Sequence, residues 1–354
     1  MFRRMAALDA GRRRYLSLNR FDAISQWQQD QNAFAWVERH PHQPALGERQ
    51  TQFANLAVSW GFQATFLTNW CDAQGHAYQE KLPDLHGTPI LQYVRRKKQR
   101  GQVVLLPLDW SYMGPGSSNL PTEVDPIPFL SKTDRLIWRG RVSGVVDTHD
   151  ERQGGLWWAE SIFRPSGANA GAAELLRMTP RWRAADALRH APWADVKFTL
   201  VPKHRPLIEQ NSELAATLLP LVGQRMGQQA QRQGKFLLVV DGNDIGTNKY
   251  WSLLSNSVTL MVESEWETAL DVGLEPWVHY VPVAPEREAI ETTVDELLRH
   301  PQRCLDIIKA AHALLRPQLD VAMREAADYA TLRRYQQQVL CTAALPPTWS
   351  LARR

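Results

Sequence analysis

The second half of the chain alternates short apolar runs with amphipathic stretches. Runs of Val, Leu, Ile and Phe predict strands over residues 136–138, 196–201, 235–244 and 257–264. A helix is predicted over about residues 247–254, between the last two of these runs. Strands that alternate with helical segments of this size favour a parallel sheet, so the pattern predicts an α/β fold.

The first half is more polar and carries fewer clear elements. The stretch LQYVRRKKQRG predicts a helix that ends at Gly101, and VVLLPLDW then predicts a buried strand with Asp109 at its carboxyl end. Residues 111–134 are rich in Gly and Pro, which predicts a long loop or a connection between domains. Residues 287–340 predict two or three amphipathic helices with a break at Pro317.

Composition limits the class of protein. With 354 residues, of which 44% are hydrophobic and 22% charged, the chain is long enough for two domains and is not a disordered protein. The net charge of +4 is small and both signs alternate along the chain, which argues against nucleic-acid binding. Five arginines fall within the first fourteen residues, and they form either a solvated face or a contact with anionic lipid.

Cysteine spacing and hydropathy bear on compartment and cofactors. Cys71, Cys304 and Cys341 lack the spacing of a metal site or a redox motif, so we expect reduced thiols and no bound metal. No apolar leader follows Met1, and no stretch reaches the roughly 18 apolar residues of a membrane span. The expected location is the cytoplasm, with at most peripheral contact with the inner membrane.

The segment KFLLVVDGNDIGTNKYWSLLSNSVTLM carries the clearest chemical pattern. An apolar strand leads into a turn rich in Asp, Asn and Gly, and a helix follows the turn. Backbone N–H groups at such a junction bind phosphate or diphosphate groups in α/β proteins. A plain turn with an Asn or Thr helix cap is the alternative that these residues leave open. The candidate ligand-binding residues of this segment are Asp241, Gly242, Asn243, Gly246, Thr247, Asn248 and Lys249.

Five further residues have candidate roles. Arg139 and Gly140 follow an apolar run in WRGRVSG, where the guanidinium would bind an anionic oxygen pair or lie in a surface turn. Asp109 could act as a general base on an acceptor hydroxyl, with Asp125 as a rival, although most aspartates at such positions only form turns. Glu267, in a helix-like segment after the last apolar run, would accept hydrogen bonds from ribose hydroxyls.

Taken in order, these segments resemble glycosyltransferase family 90, the family of protein O-glucosyltransferases, fungal capsule-associated proteins and bacterial lipopolysaccharide glycosyltransferases. The resemblance rests on IWRGRVSG, then LLVVDGNDIGTNKYWSLLSNSVTLM, then EWETALDVGLEPWVHYVPV and a helix with HPQRC. It covers about residues 100–320 and is nearest to the bacterial members, in which a GTN turn, a Trp-containing helix and SNSV follow one another.

The resemblance implies a GT-B-like fold of two Rossmann-like lobes with a deep cleft between them and C-terminal helices. It implies an acceptor-side lobe over residues 1–130, a sugar-nucleotide-binding lobe over 131–315, and helices over 316–354 that pack back on the N-terminal lobe. The implied activity is transfer of a sugar, glucose or xylose, from a UDP-sugar to a hydroxyl of lipopolysaccharide, capsule or a related glycan. The reaction would invert the anomeric centre and would need no cofactor and no metal.

The resemblance also implies roles for residues. Arg139 would contact the diphosphate, and Asp109 would be the catalytic base, although Trp-Ser-Tyr follows it where the family has a Pro-containing motif. Asn248 and Lys249 stand where animal members have an arginine, so diphosphate binding would depend on these two residues, Arg139 and backbone amides. Such departures leave open a scaffold that binds a nucleotide sugar or glycan without transferring it. The expected partners are the donor and a glycan or lipid-linked glycan acceptor, with no nucleic acid.

Overall fold

The computed structural model describes residues 15–17, 60, 66–69, 89–106, 120–121, 123–148, 156–164, 167 and 171–340. The chain divides into two compact units. The first comprises Met1–Pro115, Glu265–Val272 and Gln318–Arg354, and the second comprises Gly116–Ser264 and Gly273–Pro317. The chain therefore passes between the units after residues 115, 264, 272 and 317, whereas the sequence predicted limits after residues 130 and 315.

The described strands are short, and the helices concentrate in the second unit. In chain order the strands are β1 (Tyr15–Ser17), β2 (Phe66–Asn69), β3 (Ile90–Gln92), β4 (Val94–Arg96), β5 (Val103–Leu105), β6 (Thr133–Arg141), β7 (Val145–Asp147), β8 (Leu156–Trp158), β9 (Ala194–Thr199), β10 (Gly234–Val239), β11 (Val258–Val262), β12 (Trp266–Thr268) and β13 (Val281–Val283). The α-helices are α1 (Ala172–Arg177), α2 (Pro180–Ala187), α3 (Arg205–Glu209), α4 (Ser212–Leu218), α5 (Gln228–Gln231), α6 (Lys249–Leu253), α7 (Arg287–Arg299), α8 (Pro301–Leu315) and α9 (Val321–Tyr335).

The first unit contains a parallel sheet of four strands in the order β1-β2-β3-β5. A separate antiparallel pair joins β4 to β12, with Glu267 opposite Arg95. Helix α9 is tied to the start of β3 because the Tyr335 hydroxyl donates a hydrogen bond to the Pro89 carbonyl oxygen at 2.6 Å.

The helix predicted for LQYVRRKKQRG is wrong. The structure has β3, β4 and a 3₁₀ turn over Lys97–Gln99 in its place. Ile90 and Leu91 are fully buried in the parallel sheet, and β4 is held by pairing with β12, which lies far away in the sequence. Local helix propensity of the charged run is therefore overridden by a nonlocal strand pair. The strand predicted next, in VVLLPLDW, is confirmed as β5.

The second unit is built on a parallel sheet of five strands in the order β13-β11-β10-β6-β9. Both parallel sheets, with helices between strands of the second, confirm the predicted α/β class. Strand β11 is buried at every position, as expected for a nearly continuous apolar run in a sheet covered on both faces. The Trp138 ring packs edge to face on Phe198, with 5.5 Å between ring centroids.

The predicted elements of the second unit are confirmed with adjusted limits. The strand expected over residues 136–138 extends to nine residues as β6, and the other three expected strands are β9, β10 and β11. The helix expected over 247–254 is the shorter α6. Three helices follow β13, and a 3₁₀ turn at Arg316–Leu319 marks the break predicted at Pro317.

Only some of the residues for which we expected free thiols or membrane contact are among the described residues. Cys304 is buried and free, and burial raises the pKa of its thiol to about 11. Cys71, Cys341 and the N-terminal arginines lie outside the described residues. None of the helices that the structure describes has the length and apolar character needed to cross a membrane.

Candidate functional site

Two strand ends meet at the centre of the second sheet. Taken in chain order, the strands of this sheet are arranged 2-1-3-4-5, with β6 first and β10 third. In such a sheet the direction of winding reverses between the first and third strands, and α/β proteins bind ligands beyond the carboxyl ends of strands at that point. We call residues 139–144, at the end of β6 and just beyond it, together with residues 240–249 after β10, the switch-point site. The sequence segments WRGRVSG and DGNDIGTNK therefore come to one edge of one sheet.

The turn after β10 is organised around Asp241. One carboxylate oxygen, Oδ1, accepts a hydrogen bond from the Gly246 N–H at 3.2 Å, and the other accepts one from the Ser264 hydroxyl. The Gly242 N–H donates to the Asp244 carbonyl oxygen at 3.1 Å. The Gly246 amide, expected from the sequence to face a diphosphate, is thus bound within the turn. Thr247 is exposed, and its N–H has no hydrogen-bond partner among the residues that the structure describes.

Two asparagine amides fix the turn to its surroundings. Asn243 Oδ1 accepts a hydrogen bond from the Gly144 N–H at 3.0 Å, and its Nδ2 donates to Glu160 at 2.9 Å. Asn248 Nδ2 donates to the Leu238 carbonyl oxygen at 2.8 Å. These contacts hold the turn against the end of β6 and against β10 itself. The structure thus places both asparagines in the switch-point site but gives each of them a structural bond.

Two cations interact electrostatically with Asp241, and the sequence identified one of them. Lys249, the first residue of α6, is buried, and its charge lowers the pKa of Asp241. The second cation is Arg181 at the start of α2, which is 7% exposed. Its Nε donates to the Val240 carbonyl oxygen at 3.3 Å, and its Nη1 donates to the Arg141 carbonyl oxygen at 3.0 Å. Sequence reasoning missed Arg181, because only the helix start Thr179-Pro180 marks its position.

Burial dominates the electrostatics of Asp241. Desolvation raises the pKa of its carboxyl group to about 6, and the hydrogen bond from Ser264 and the charge of Lys249 oppose this rise without cancelling it. An anionic ligand at the switch-point site would disfavour the ionised carboxylate further. Occupation by a diphosphate is therefore compatible with a protonated Asp241.

Asp241→Asn should stabilise the protein at neutral pH and not in acid. The folded-state pKa of about 6 lies above the ordinary value of 3.8, so the unfolded chain loses this proton first as pH rises. Stability therefore falls between about pH 4 and 6, and the whole cost is present above pH 6. The variant should gain on the order of 1–2 kcal/mol in unfolding free energy at pH 7.5 and almost nothing at pH 4.

Urea titrations at the two pH values measure this difference. Asp306→Asn, on the exposed face of α8, is the matched control and should be neutral at both. Equal effects of Asp241→Asn at pH 4 and pH 7.5 would contradict the pKa assignment.

Arg139 lies on β6 rather than beyond its end. Its Nη2 forms an ion pair with Asp195 at 2.8 Å, and its other nitrogens donate to carbonyl oxygens of Gln224, Asp195 and Trp138. The guanidinium therefore lies beside Asp195 of β9 and is bound by protein groups. Gly140 follows it, and a Cβ atom there would lie 2.1 Å from the Trp138 ring. Diphosphate contact by Arg139 stays a prediction and would require release of Asp195.

The structure describes only one of the two candidate bases. Asp109 lies outside the described residues. Asp125 is buried, and its Oδ2 accepts hydrogen bonds from Lys132 Nζ at 2.8 Å and from the Asn256 N–H at 2.9 Å. Its Oδ1 accepts the Ile127 N–H at 3.1 Å. Asp125 therefore fastens the segment before β6 to the start of β11.

Glu267 belongs to the first unit and lies on strand β12, so the helix-like segment expected around it is wrong. Its Oε1 accepts hydrogen bonds from Arg95 Nε at 2.7 Å and from Arg100 Nε at 2.9 Å. The hydrogen bond from Arg100 has the largest effect on the pKa of Glu267; burial opposes it, and the bond from Arg95 and the charges of both arginines add to it, which lowers the pKa to about 2. In this structure the carboxylate is therefore bound by two guanidiniums.

Glu267→Gln should destabilise the protein at pH 7 more than at pH 3. A pKa lowered from 4.5 to about 2 gives stability that is present above pH 4.5 and is lost as pH falls toward 2. The Arg100 side chain is 65% exposed, so solvent screens its attraction to Glu267. We therefore expect the substitution to lower the unfolding free energy by about 1 kcal/mol at pH 7. Thermal unfolding at both pH values measures it; a loss that does not depend on pH would contradict the ion-pair explanation.

Across the described ranges, no group of three or more His, Cys, Asp or Glu side chains is arranged to hold a metal ion. Metal independence of the reaction stays a prediction.

The segment that contains the turn after β10 matches a known protein family. Residues 221–343 match the model described as Glycosyl transferase family 90. The match includes the whole turn after β10 and confirms the family resemblance over this segment. O-glucosyltransferase LpsA of Dichelobacter nodosus is 34% identical over 87 residues, which is 24% of this chain and 27% of LpsA. Uncharacterized protein 035R of Invertebrate iridescent virus 3 is 28% identical over 150 residues, 42% of this chain and 13% of that protein. The chain thus spans less than a third of either relative.

Solved structures show distant likeness. A glycosyltransferase from Rickettsia africae is 8% identical with a TM-score of 0.42, over 93% of this chain and 90% of that one. HepE from Anabaena, in complex with UDP-glucose, is 10% identical with a TM-score of 0.43, over 88% of this chain and 82% of HepE. Since both TM-scores are below 0.5, the α/β assignment rests on the parallel sheets of the chain itself.

Proposed function

We propose that this chain is a glycosyltransferase that moves a sugar from a UDP-sugar to a hydroxyl of a glycan acceptor. The observation that carries the proposal is the turn of residues 241–248. It lies inside the segment that matches family 90, and it follows the central strand of a doubly wound sheet where such sheets bind ligands. The proposal includes the GT-B arrangement that the family resemblance implies.

The finer features of the reaction are part of the proposal. The acceptor hydroxyl attacks the anomeric carbon while a base, Asp109, takes its proton, and the bond to the diphosphate breaks with inversion. Without a metal, the charge of the departing diphosphate has to be met by cations and N–H groups already in place. Lys249 and the N–H of exposed Thr247 are suited to this, since Thr247 belongs to the turn and Lys249 begins the helix that follows it. Helix α6 has only five residues and adds little dipole.

Donor and acceptor classes follow from the resemblance and one relative. LpsA is named an O-glucosyltransferase, which supports glucose, and xylose is the alternative sugar. The acceptor would be lipopolysaccharide, capsule or a related glycan of a bacterium. If it is lipid-linked, the N-terminal arginines would hold a cytoplasmic enzyme at the anionic inner membrane at about 1 kcal/mol per basic residue.

Transfer is tested with labelled UDP-glucose and UDP-xylose in EDTA, with lipid-linked core glycans as acceptors. We expect UDP release with one donor and a product whose anomeric configuration, measured by NMR, is opposite to that of the donor. Asp109→Asn should abolish transfer and leave donor affinity nearly unchanged, because a general base acts on the acceptor. Retention of configuration, or activity only with added metal, would contradict the proposed mechanism.

A second candidate function is a scaffold that binds a nucleotide sugar without transferring it. The specific observation in its favour is Arg139, whose guanidinium is already bound by Asp195 and three carbonyl oxygens. Donor binding without UDP release by the wild-type protein would favour this scaffold over the enzyme.

A further inference from the structure

Helix α2 and the residue before it lie close to two glycines of the switch-point site, where a Cβ atom would be crowded. A Cβ atom on Gly144 would lie 3.0 Å from Thr179, and φ at Gly144 is +150°, which favours glycine. A Cβ atom on Gly242 would lie 2.5 Å from Ser143 Oγ and 2.8 Å from Arg181 Nη2. The exits of β6 and β10 thus each carry a glycine where α2 and its arginine come close.

Arg181 uses this space to connect the two strand exits. Its guanidinium donates to the carbonyl oxygen of Arg141, the last residue of β6, to the Ser143 hydroxyl just beyond it, and to the Val240 carbonyl oxygen after β10. The same group lies over the Trp138 ring, 5.7 Å from the centroid. A planar guanidinium with donors in fixed directions can satisfy three such acceptors at once, whereas an ammonium group cannot match that geometry.

The connection has a direct consequence for the turn. Val240 is the residue before Asp241, so its carbonyl oxygen sets where the turn of residues 241–248 begins. Ser143 precedes Gly144, whose N–H is bound by Asn243 of the same turn. Arg181 therefore fixes both of the backbone segments that would surround a diphosphate at the switch point.

We propose that Arg181 is a positioning residue for donor binding, which holds the exits of β6 and β10 at the separation that a nucleoside diphosphate requires. The proposal rests on the proposed function and extends it to a residue outside the turn. Arg181 is buried, so it acts through Val240, Ser143 and Arg141 rather than by contact with the ligand. Binding geometry is sensitive to shifts of this kind, because a displacement of about 1 Å can cost up to about a hundredfold in rate.

The test is calorimetric titration of UDP into the full chain in EDTA, for the wild type and three variants. Arg181→Lys keeps the positive charge but loses the planar guanidinium with its fixed donor directions, and should raise the Kd for UDP about tenfold or more. Ser143→Ala removes one end of the connection and should raise it about threefold or more. Arg183→Ala is the control on the exposed face of the same helix, where Arg183 pairs with Glu286, and should leave the Kd unchanged.

The readouts separate positioning from folding. A purely structural role would lower the melting temperature and the binding-competent fraction but leave the Kd of the folded protein as in the wild type. We expect instead a raised Kd and a raised KM for donor, with a smaller change in kcat. If Arg181→Lys does not fold, the Kd of Ser143→Ala for UDP alone tests the proposal, since this variant leaves the guanidinium in place. Kd values within twofold of the wild type for the folded variants would overturn the proposal. Failure of the wild-type protein to bind UDP would instead overturn the proposed function.

Discussion

Asp125→Ala should lower the free energy of unfolding by about 3–5 kcal/mol. Removing the carboxylate leaves the Lys132 ammonium buried without its counter-charge, and burial already lowers the pKa of that lysine. It also leaves the N–H groups of Asn256 and Ile127 without their acceptor. Urea unfolding at pH 7 measures the loss.

Two further variants identify its cause. Asp125→Ala combined with Lys132→Met removes both charges and should recover the part of the loss that comes from the unpaired ammonium, while the N–H groups of Asn256 and Ile127 stay without their acceptor. Asp134→Ala breaks a pair with Lys235 in which the aspartate is 61% exposed, and should cost within about 1 kcal/mol. Asp125→Asn with wild-type stability and no sugar transfer would contradict this role and identify Asp125 as the base.

Gly140→Ala should destabilise the protein by about 1–3 kcal/mol, the cost of overpacking a core site. The added methyl would lie 2.1 Å from Cζ2 and 2.6 Å from Cη2 of the Trp138 ring. That ring is 1% exposed and packs against Phe198, so it has no space into which it can move. Thermal and urea unfolding measure the effect.

The control is Gly227→Ala, since a Cβ atom there meets nothing within 4 Å and φ is −71°. This variant should be neutral or slightly stabilising. The glycine of WRG would then be explained by the packing of Trp138. Unchanged stability of Gly140→Ala with weaker UDP binding would contradict this and indicate backbone contact with the donor.

The strands of the second unit could be predicted because their apolar runs are a local signal. β10 and β11 consist mostly of Phe, Leu, Val and Met, and a parallel sheet buries them on both faces. The run RRKKQR was predicted wrongly as helix, because its local preference is helical. Its structure is set by pairing with β12 and by ion pairs to Glu267 and Glu265, which are distant in the sequence.

The candidate site could be predicted in part for the same reason. The turn of residues 241–248 is contiguous, so its Gly, Asn and Asp residues identify it directly. Arg181 could not be found, because its partners Val240 and Arg141 lie on two other segments and meet it only in the fold. The converse holds for Arg139, where the motif suggested an open guanidinium and the tertiary structure supplies Asp195 as its partner.

The proposed function requires that the exits of β6 and β10 bind a nucleoside diphosphate. Hydrogen–deuterium exchange of the full chain, with and without saturating UDP in EDTA, tests it most directly. Binding suppresses local opening, so amide exchange should slow in peptides that cover residues 139–145 and 240–249 and stay unchanged in those that cover α7. UDP binding that leaves exchange in both segments unchanged, or slows it only elsewhere, would contradict the claim.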